Sequence, residues 1–288
     1  MQPLNLPTRG ALEGGYIKAL FPLFIKGLEN QGYWKSGLIN SLGQHEIITH
    51  FNKVNIHQDQ QTLNCFTNQT RIQLKTNEWK YIESCSSNHK RHLFALDQAR
   101  DLCQYFKSLN EKHSEQADAL DSYCAAFEDR VPLIYKSTPL KQSTLRQPIK
   151  GEFEQDWKQI STLHQADNLL NNFQFDFHRF TQAHNDQPEA LSSEDFAHRL
   201  SGIKLRENKV QITSHNLSCM QSHHGKIINL LQLNQQLILG DAGFKCQLNL
   251  NAIKHIWRWQ QQTASGKLEQ IILVDQKGKL ALSISAWI

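Results

Sequence analysis

The sequence predicts an α+β fold: a tandem duplication of an antiparallel sheet covered by helices. Three features predict it. Short alternating stretches bounded by turn residues run through both halves of the chain. A helical stretch precedes each set of them. Segments of the first half recur, in order, in the second.

Residues 15–42, "GYIKALFPLFIKGLENQGYWKSGLINSL", have apolar positions at three- and four-residue spacings and read as a helix that Pro22 breaks or kinks. From 46 to about 97 the period shortens to that of strands, clearest in "RIQLKTNEWKYIESC" and "RHLFALD". "SEQADALDSYCAAFEDR" (114–130) returns to helix with a serine at its start. Residues 131–154 carry Pro132, Pro139 and Pro148 with little periodicity and read as a linker between an N-terminal repeat, 1–130, and a C-terminal repeat, 155–288. The second repeat opens with a helix over 155–173 and a short capped helix, "SSEDFAHRLSG", stopped by Gly202. "AIKHIWRWQ", "LEQIILVD" and "KLALSISAW" follow, separated by glycine-bearing turns, as an antiparallel meander. The repeat itself rests on three matches. They are 45–57 with 209–221, 71–82 with 245–257, and 93–98 with 271–276, at offsets growing from 164 to 178.

Charge and composition exclude several classes. The chain has 31 Lys+Arg against 27 Asp+Glu, with signs interspersed, so nothing points to nucleic acid. No stretch approaches the roughly 20 apolar residues of a membrane span, and "MQPLNLPTRGALEGG" lacks the order of a signal peptide, so a cytoplasmic location is expected. Six cysteines without CxxC spacing read as free thiols rather than a zinc site. No phosphate-binding loop, dinucleotide fingerprint or nucleophile elbow is present.

The helix over 155–173 raises the functional question. Ile160, Leu163, Ala166, Leu170 and Phe173 fall on one side of a helical wheel, with Trp157 and His164, seven apart, at its margin. A margin histidine can pack against a core or reach into a cleft as a ligand, and spacing leaves both open. His178 and His184 follow as alternative ligands. His223 and His224 precede Gly225 and read as surface histidines in a turn. Trp257 and Trp259 share one face of a strand, with core packing as the default.

Taken together, the ordered features resemble the cytoplasmic haemin-trafficking and haemin-degrading proteins of Gram-negative bacteria, the HemS/ChuS-like family. Trp157, His164 and Leu169-Leu170 resemble that family's ligand-bearing helix. "SHNLSCMQSHHGKIINL" (214–230) is similar to its "C-I-Q-I-H-x-G" strand and turn. "LILGDAGFKCQLNLNAIKHIW" (237–257) and "SGKLEQIILVDQKGKLAL" (265–282) are similar to the strands that follow. The first half fits more loosely, through 38–58 and 93–127. The resemblance implies b-type haem as the bound group and metal ligation by His164. It implies a haem contact for Trp157, distal basic side chains from Lys90 and Arg91, and a propionate partner in Arg258. The family pattern goes on with a phenylalanine-glycine-basic segment, where this sequence reads "SISAWI"; the expectation is a more open site that releases haem readily.

Three functions are then open: a haem-binding protein for buffering or delivery in haem-iron utilisation, a haem-degrading enzyme that releases iron, or a diverged relative without haem. The partners implied are haem and a haem-accepting or electron-donating protein.

Overall fold

The computed structural model describes residues 14–17, 20–29, 31–51, 53–56, 62–67, 69–87, 90–111, 114–129, 155–156, 158–162, 165, 188–216 and 218–288. The described strands form two antiparallel sheets with few helices. Contacts divide the chain into two compact units. The first comprises 1–39, 46–137 and 216–220, and the second 40–45, 138–215 and 221–288.

In the first unit the elements are β1 (Gly14–Ile17), α1 (Phe21–Lys26), β2 (Tyr33–Asn40), β3 (Gly43–His50), β4 (Val54–Ile56), β5 (Thr62–Phe66) and β6 (Thr70–Lys75). After these come β7 (Tyr81–Ser87), β8 (Lys90–Leu96), β9 (Leu102–Ser108), α2 (Glu115–Ala125) and β10 (Glu128–Asp129). The strands lie in the order β10-β1-β7-β8-β9-β2-β3, with β4-β5-β6 as a separate run. Helix α2 starts on Ser114, whose hydroxyl accepts from the Ala117 N–H, and buries Ala117, Leu120 and Cys124.

The helix expected over 15–42 is corrected: its described residues hold β1, the six-residue α1 and β2. Pro22 sits in the first turn of α1, where its missing N–H costs nothing, so it helps start the helix rather than kinking it. The three- and four-residue spacing misled because β2 buries Trp34, Ser36 and Leu38 on one face, and the middle one is polar.

In the second unit the elements are β11 (Glu189–Ala190), α3 (Ser193–Leu205), β12 (Lys209–His215), β13 (Cys219–Lys226), β14 (Asn229–Leu233), β15 (Gln236–Gly240) and β16 (Phe244–Asn249). The meander β17 (Ile253–Thr263), β18 (Gly266–Asp275) and β19 (Leu280–Trp287) closes it, antiparallel as the sequence predicts. The order is β11-β17-β18-β19-β12-β13, with β14-β15-β16 as a separate run. Ser192 and Asp195 form a capping box at the start of α3. Gly202 does not stop this helix. It runs on to Leu205 because Ile203, 2% exposed, is buried one residue later, and the Arg206 Nε donates to the Gly202 carbonyl.

Each unit, taken by itself, contains one turn tied by an asparagine. In the first, Asn216 Nδ2 donates to the carbonyls of Ile39 (3.0 Å) and Cys103 (2.7 Å), while its Oδ1 accepts from the N–H groups of Ser218 and Cys219. In the second, Asn40 Nδ2 donates to the carbonyls of His215 and Ala281, and its Oδ1 accepts from Leu42 and Gly43. The separation 216 − 40 is 176, between the offsets of 174 and 178 of the last two sequence matches. The first match, at 164, is therefore out of register: by strand order β3 corresponds to β13, not β12.

The helix expected over 155–173 is interrupted. Gln155, Asp156 and Lys158 are helical, and Ile160–Thr162 are not. Gln165 Oε1 accepts from the N–H groups of Ser161 (2.7 Å) and Thr162 (3.1 Å), and the Gln165 N–H points back to Thr162 Oγ1. That is a capping box, T-x-x-Q, and it marks a new helix start. The Lys158 carbonyl accepts from Ala264, and the Ser161 carbonyl from Ser265, which hold the segment on the β17–β18 turn.

Candidate functional site

Strand β8 decides which basic residues are available. Its side chains alternate, so Lys90, His92 and Phe94 share one face and Arg91 and Leu93 the other. The second face is the one α2 covers. There Arg91, buried, donates to Asp121, Glu128 and Ser84. Arg91 is committed to the interior of its own unit.

The first face carries a different set. Cross-strand register places Lys107 of β9 opposite His92, and Lys35 of β2 opposite Lys107. One step along, Phe94, Tyr105 and Gly37 form the next row. A side chain at Gly37 would collide with the Tyr105 ring, a built Cβ lying 2.0 Å from it, so glycine lets that ring lie flat over the backbone. The Tyr105 hydroxyl donates to Glu46, which also pairs with Lys35 at 3.7 Å. The His92 and Phe94 rings stack with 13° between planes. Cys85, Phe94, Leu96 and Tyr105 form an apolar cluster flanked by Tyr81 and Leu102. Lys90 and Lys107 form no ion pair among the described residues. Burial and these two ammonium groups bring the His92 pKa down to about 4, so its ring is neutral at pH 7. The face thus carries a buried aromatic pair, Phe94 and Tyr105, with Glu83 opposite Phe94 and with Lys90 and Lys107 at its margin, unpaired among the described residues.

In the second unit Arg258 donates to Glu269 (2.5 Å) and Glu189 (2.5 Å), and Arg199 donates to the same Glu269. Glu269 is 1% exposed, and its two arginines outweigh burial and hold its carboxyl below the usual range. Arg258 thus sits in a structural ion cluster. Trp157, His164, His178 and His184 lie outside the described residues. Among the described residues no group of three or more His, Cys, Asp or Glu is placed to hold a metal ion. All six cysteines are free.

His223 is corrected from surface to core. It ends a run of β13, Cys219 to His223, that is buried throughout, and it is 2% exposed, with Nε2 3.1 Å from Asp241 Oδ2 and its ring 4.4 Å from that of Phe244. His45 is 1% exposed in the same cluster. Burial, then the neighbouring His223 and His215, depress the His45 pKa to about 3, against a weak opposing pull from the Gln221 backbone. The unfolded chain takes up this proton near pH 6.5, and the folded chain resists until about 3. Stability from neutral His45 is therefore present above 6.5 and lost as pH falls through that window. The loss is about 2 kcal/mol at pH 5. The melting temperature is expected to fall steadily from pH 6.5 to 4, and His45→Phe to flatten the profile. An equally steep profile in the variant would remove His45 as the cause.

The described site thus combines aromatic rings with basic side chains on one sheet face. Comparison with known proteins adds similarity to one domain family. Residues 177–285 match the model of the haemin-degrading HemS.ChuX domain. Apo-PhuS and holo-PhuS, a heme-binding protein from Pseudomonas aeruginosa, each match with TM-score 0.75 and 16% identity over 96% of this chain and 82% of theirs. The heme-degrading enzyme ChuS of Escherichia coli O157:H7 matches with TM-score 0.74 and 16% identity over 96% of this chain and 81% of its own. No curated protein sequence matches the chain. Residues 177–285 are thus similar to the HemS.ChuX domain, and the fold is the one these structures share.

Sequence reasoning missed Lys35, Lys107 and the shelf of Phe94 and Tyr105. The alternation in "YWKSG" and "LCQYFKS" shows which residues share a face of each strand. Which strands lie side by side is not written there.

Proposed function

We propose that the protein binds haem and serves to buffer or deliver it in the cytoplasm. One observation carries the reading: Lys90 and Lys107, without acidic partners among the described residues, edge the apolar shelf of Phe94 and Tyr105. Haem is a flat apolar disc with two carboxylates, so the shelf suits its face and the two ammonium groups suit its propionates. By chemical type these residues fit the ligand, and haem would have to reach rings that are 6% and 3% exposed. The matching domain and fold support the same reading. His164 is the proposed axial ligand and Trp157 its neighbour. Arg91 and Arg258, engaged with carboxylates, hold the two units' own structure.

Haemin titration followed at the Soret band tests this. Lys107→Glu and Lys90→Glu are each expected to weaken binding about tenfold or more, since each turns an attraction to a propionate into a repulsion. Lys245→Glu, on an exposed strand position of the second unit, is the control. Equal affinity in all three variants would refute the shelf. Steady Soret decay once a reductant is added would move the reading to haem degradation.

The domain plan belongs to this proposal too: an N-terminal repeat, a linker over 131–154 and a C-terminal repeat, arisen by duplication. The recurring strand order and the paired asparagine turns support it.

A further inference from the structure

The outer strands of the sheets differ in how they are protected. An edge strand offers unpaired N–H and C=O groups to any passing strand, and proteins blunt such edges with shortness and charge. Strands β10 and β11 have two residues each, and both include a glutamate. Strand β4 has three, and its Val54 is clamped: Lys26 Nζ donates to the Val54 carbonyl and Glu29 Oε1 accepts from the Val54 N–H.

Strand β14 has none of these devices. It is five residues long, ends its sheet order, and reads "NLLQL" without a charge. Leu231 and Leu233 are 50% and 54% exposed, and Ile228 beside them 58%. A two-residue turn with Asn234 at φ 53° joins it to β15, with Leu233 and Gln236 as the closing pair. In such a hairpin the closing pair is hydrogen-bonded, and every second residue faces the partner strand. Residues 229, 231 and 233 therefore turn their backbone groups to β15. Helix α3 passes beside β14, and the outward N–H and C=O groups of Leu230 and Gln232 make no hydrogen bond among the described residues.

We infer that β14 is a self-association edge, on which a second copy of this chain docks its own β14 antiparallel about a two-fold axis at Leu231. The register follows from the residues. Leu230 and Gln232 of one copy exchange hydrogen bonds with Gln232 and Leu230 of the other, four in all. The two Leu231 side chains meet as a non-hydrogen-bonded pair, where side chains approach most closely. Each Leu233 faces an asparagine, and no like charges oppose each other because the strand has none. No other described edge of the chain offers this match, so association closes at a dimer. A five-residue ladder with a few leucine contacts buries less than the ~1,200 Å² of a standard complex. The dimer is accordingly concentration-dependent.

Sedimentation equilibrium of the full chain tests this. The wild type is expected to pass from monomer near ~1 µM to mostly dimer by ~500 µM. Gln232→Pro removes one outward N–H and leaves the β15 ladder intact, so it should abolish dimerisation with the melting temperature kept. Leu231→Lys and Leu231→Glu should each be monomeric alone and should pair when mixed. That recovery separates lost pairing from lost folding. A wild type that stays monomeric to ~500 µM overturns the proposal and leaves the edge to a strand of another protein. A dimer that survives Gln232→Pro and both charged variants overturns it as well.

Discussion

Asn216→Ala is expected to destabilise the protein by about 3 kcal/mol and to lower its melting temperature by roughly 10 °C. The side chain serves two carbonyls and two N–H groups at once, and donors and acceptors cannot be replaced by a methyl group. The site is part-buried, so water recovers some of the loss, which keeps the figure below the full cost of four buried orphans. Asn216→Asp is the informative companion. It keeps the acceptor for Ser218 and Cys219 but presents a carboxylate to the carbonyls of Ile39 and Cys103, and should be no better than alanine. Thermal unfolding at pH 7 reads both. An Asn216→Ala protein within about 0.5 kcal/mol of wild type would show that the turn is held by its ladders alone.

The second large effect is expected at His164. Removing an axial imidazole takes away a bond to iron itself, while loss of a mere supporting contact to a ligand already costs 10–100-fold in metal affinity. His164→Ala should therefore weaken haem binding by at least ~100-fold and leave the melting temperature of the haem-free protein near wild type. If His164 packs instead of ligating, the pattern reverses: stability falls and haem affinity holds. The Thr162–Gln165 capping box just precedes and follows this residue in sequence, so the local chain is anchored independently of it.

How much of this was legible in the sequence depends on the range of the interaction. The closing meander was legible because its turns carry their own glycines, Gly266 and Gly278, both at positive φ. Helices α2 and α3 were legible from serine caps. Strand β2 was not, because burial of Ser36 between Trp34 and Leu38 disguises a period of two as an irregular apolar run. The break at Ile160–Thr162 was written as T-x-x-Q but outweighed by the apolar stripe. At the candidate site, the resemblance named two neighbouring basic residues of one strand, Lys90 and Arg91. The strand's pleat then divided the pair, sending Lys90 to the shelf and Arg91 to Asp121 and Glu128. Lys107 lies 17 residues beyond Lys90 and reaches the shelf only through the β8–β9 register, a tertiary fact.

The most direct measurement is haemin titration of the full chain, wild type beside His164→Ala, with Soret position and affinity read together. The account predicts a saturable one-to-one complex in the wild type with the spectrum of histidine-ligated ferric haem. In the variant it predicts a shifted Soret band and an affinity lower by two orders of magnitude or more. An unchanged Soret band and affinity in His164→Ala, or a wild type that binds no haemin, would contradict it.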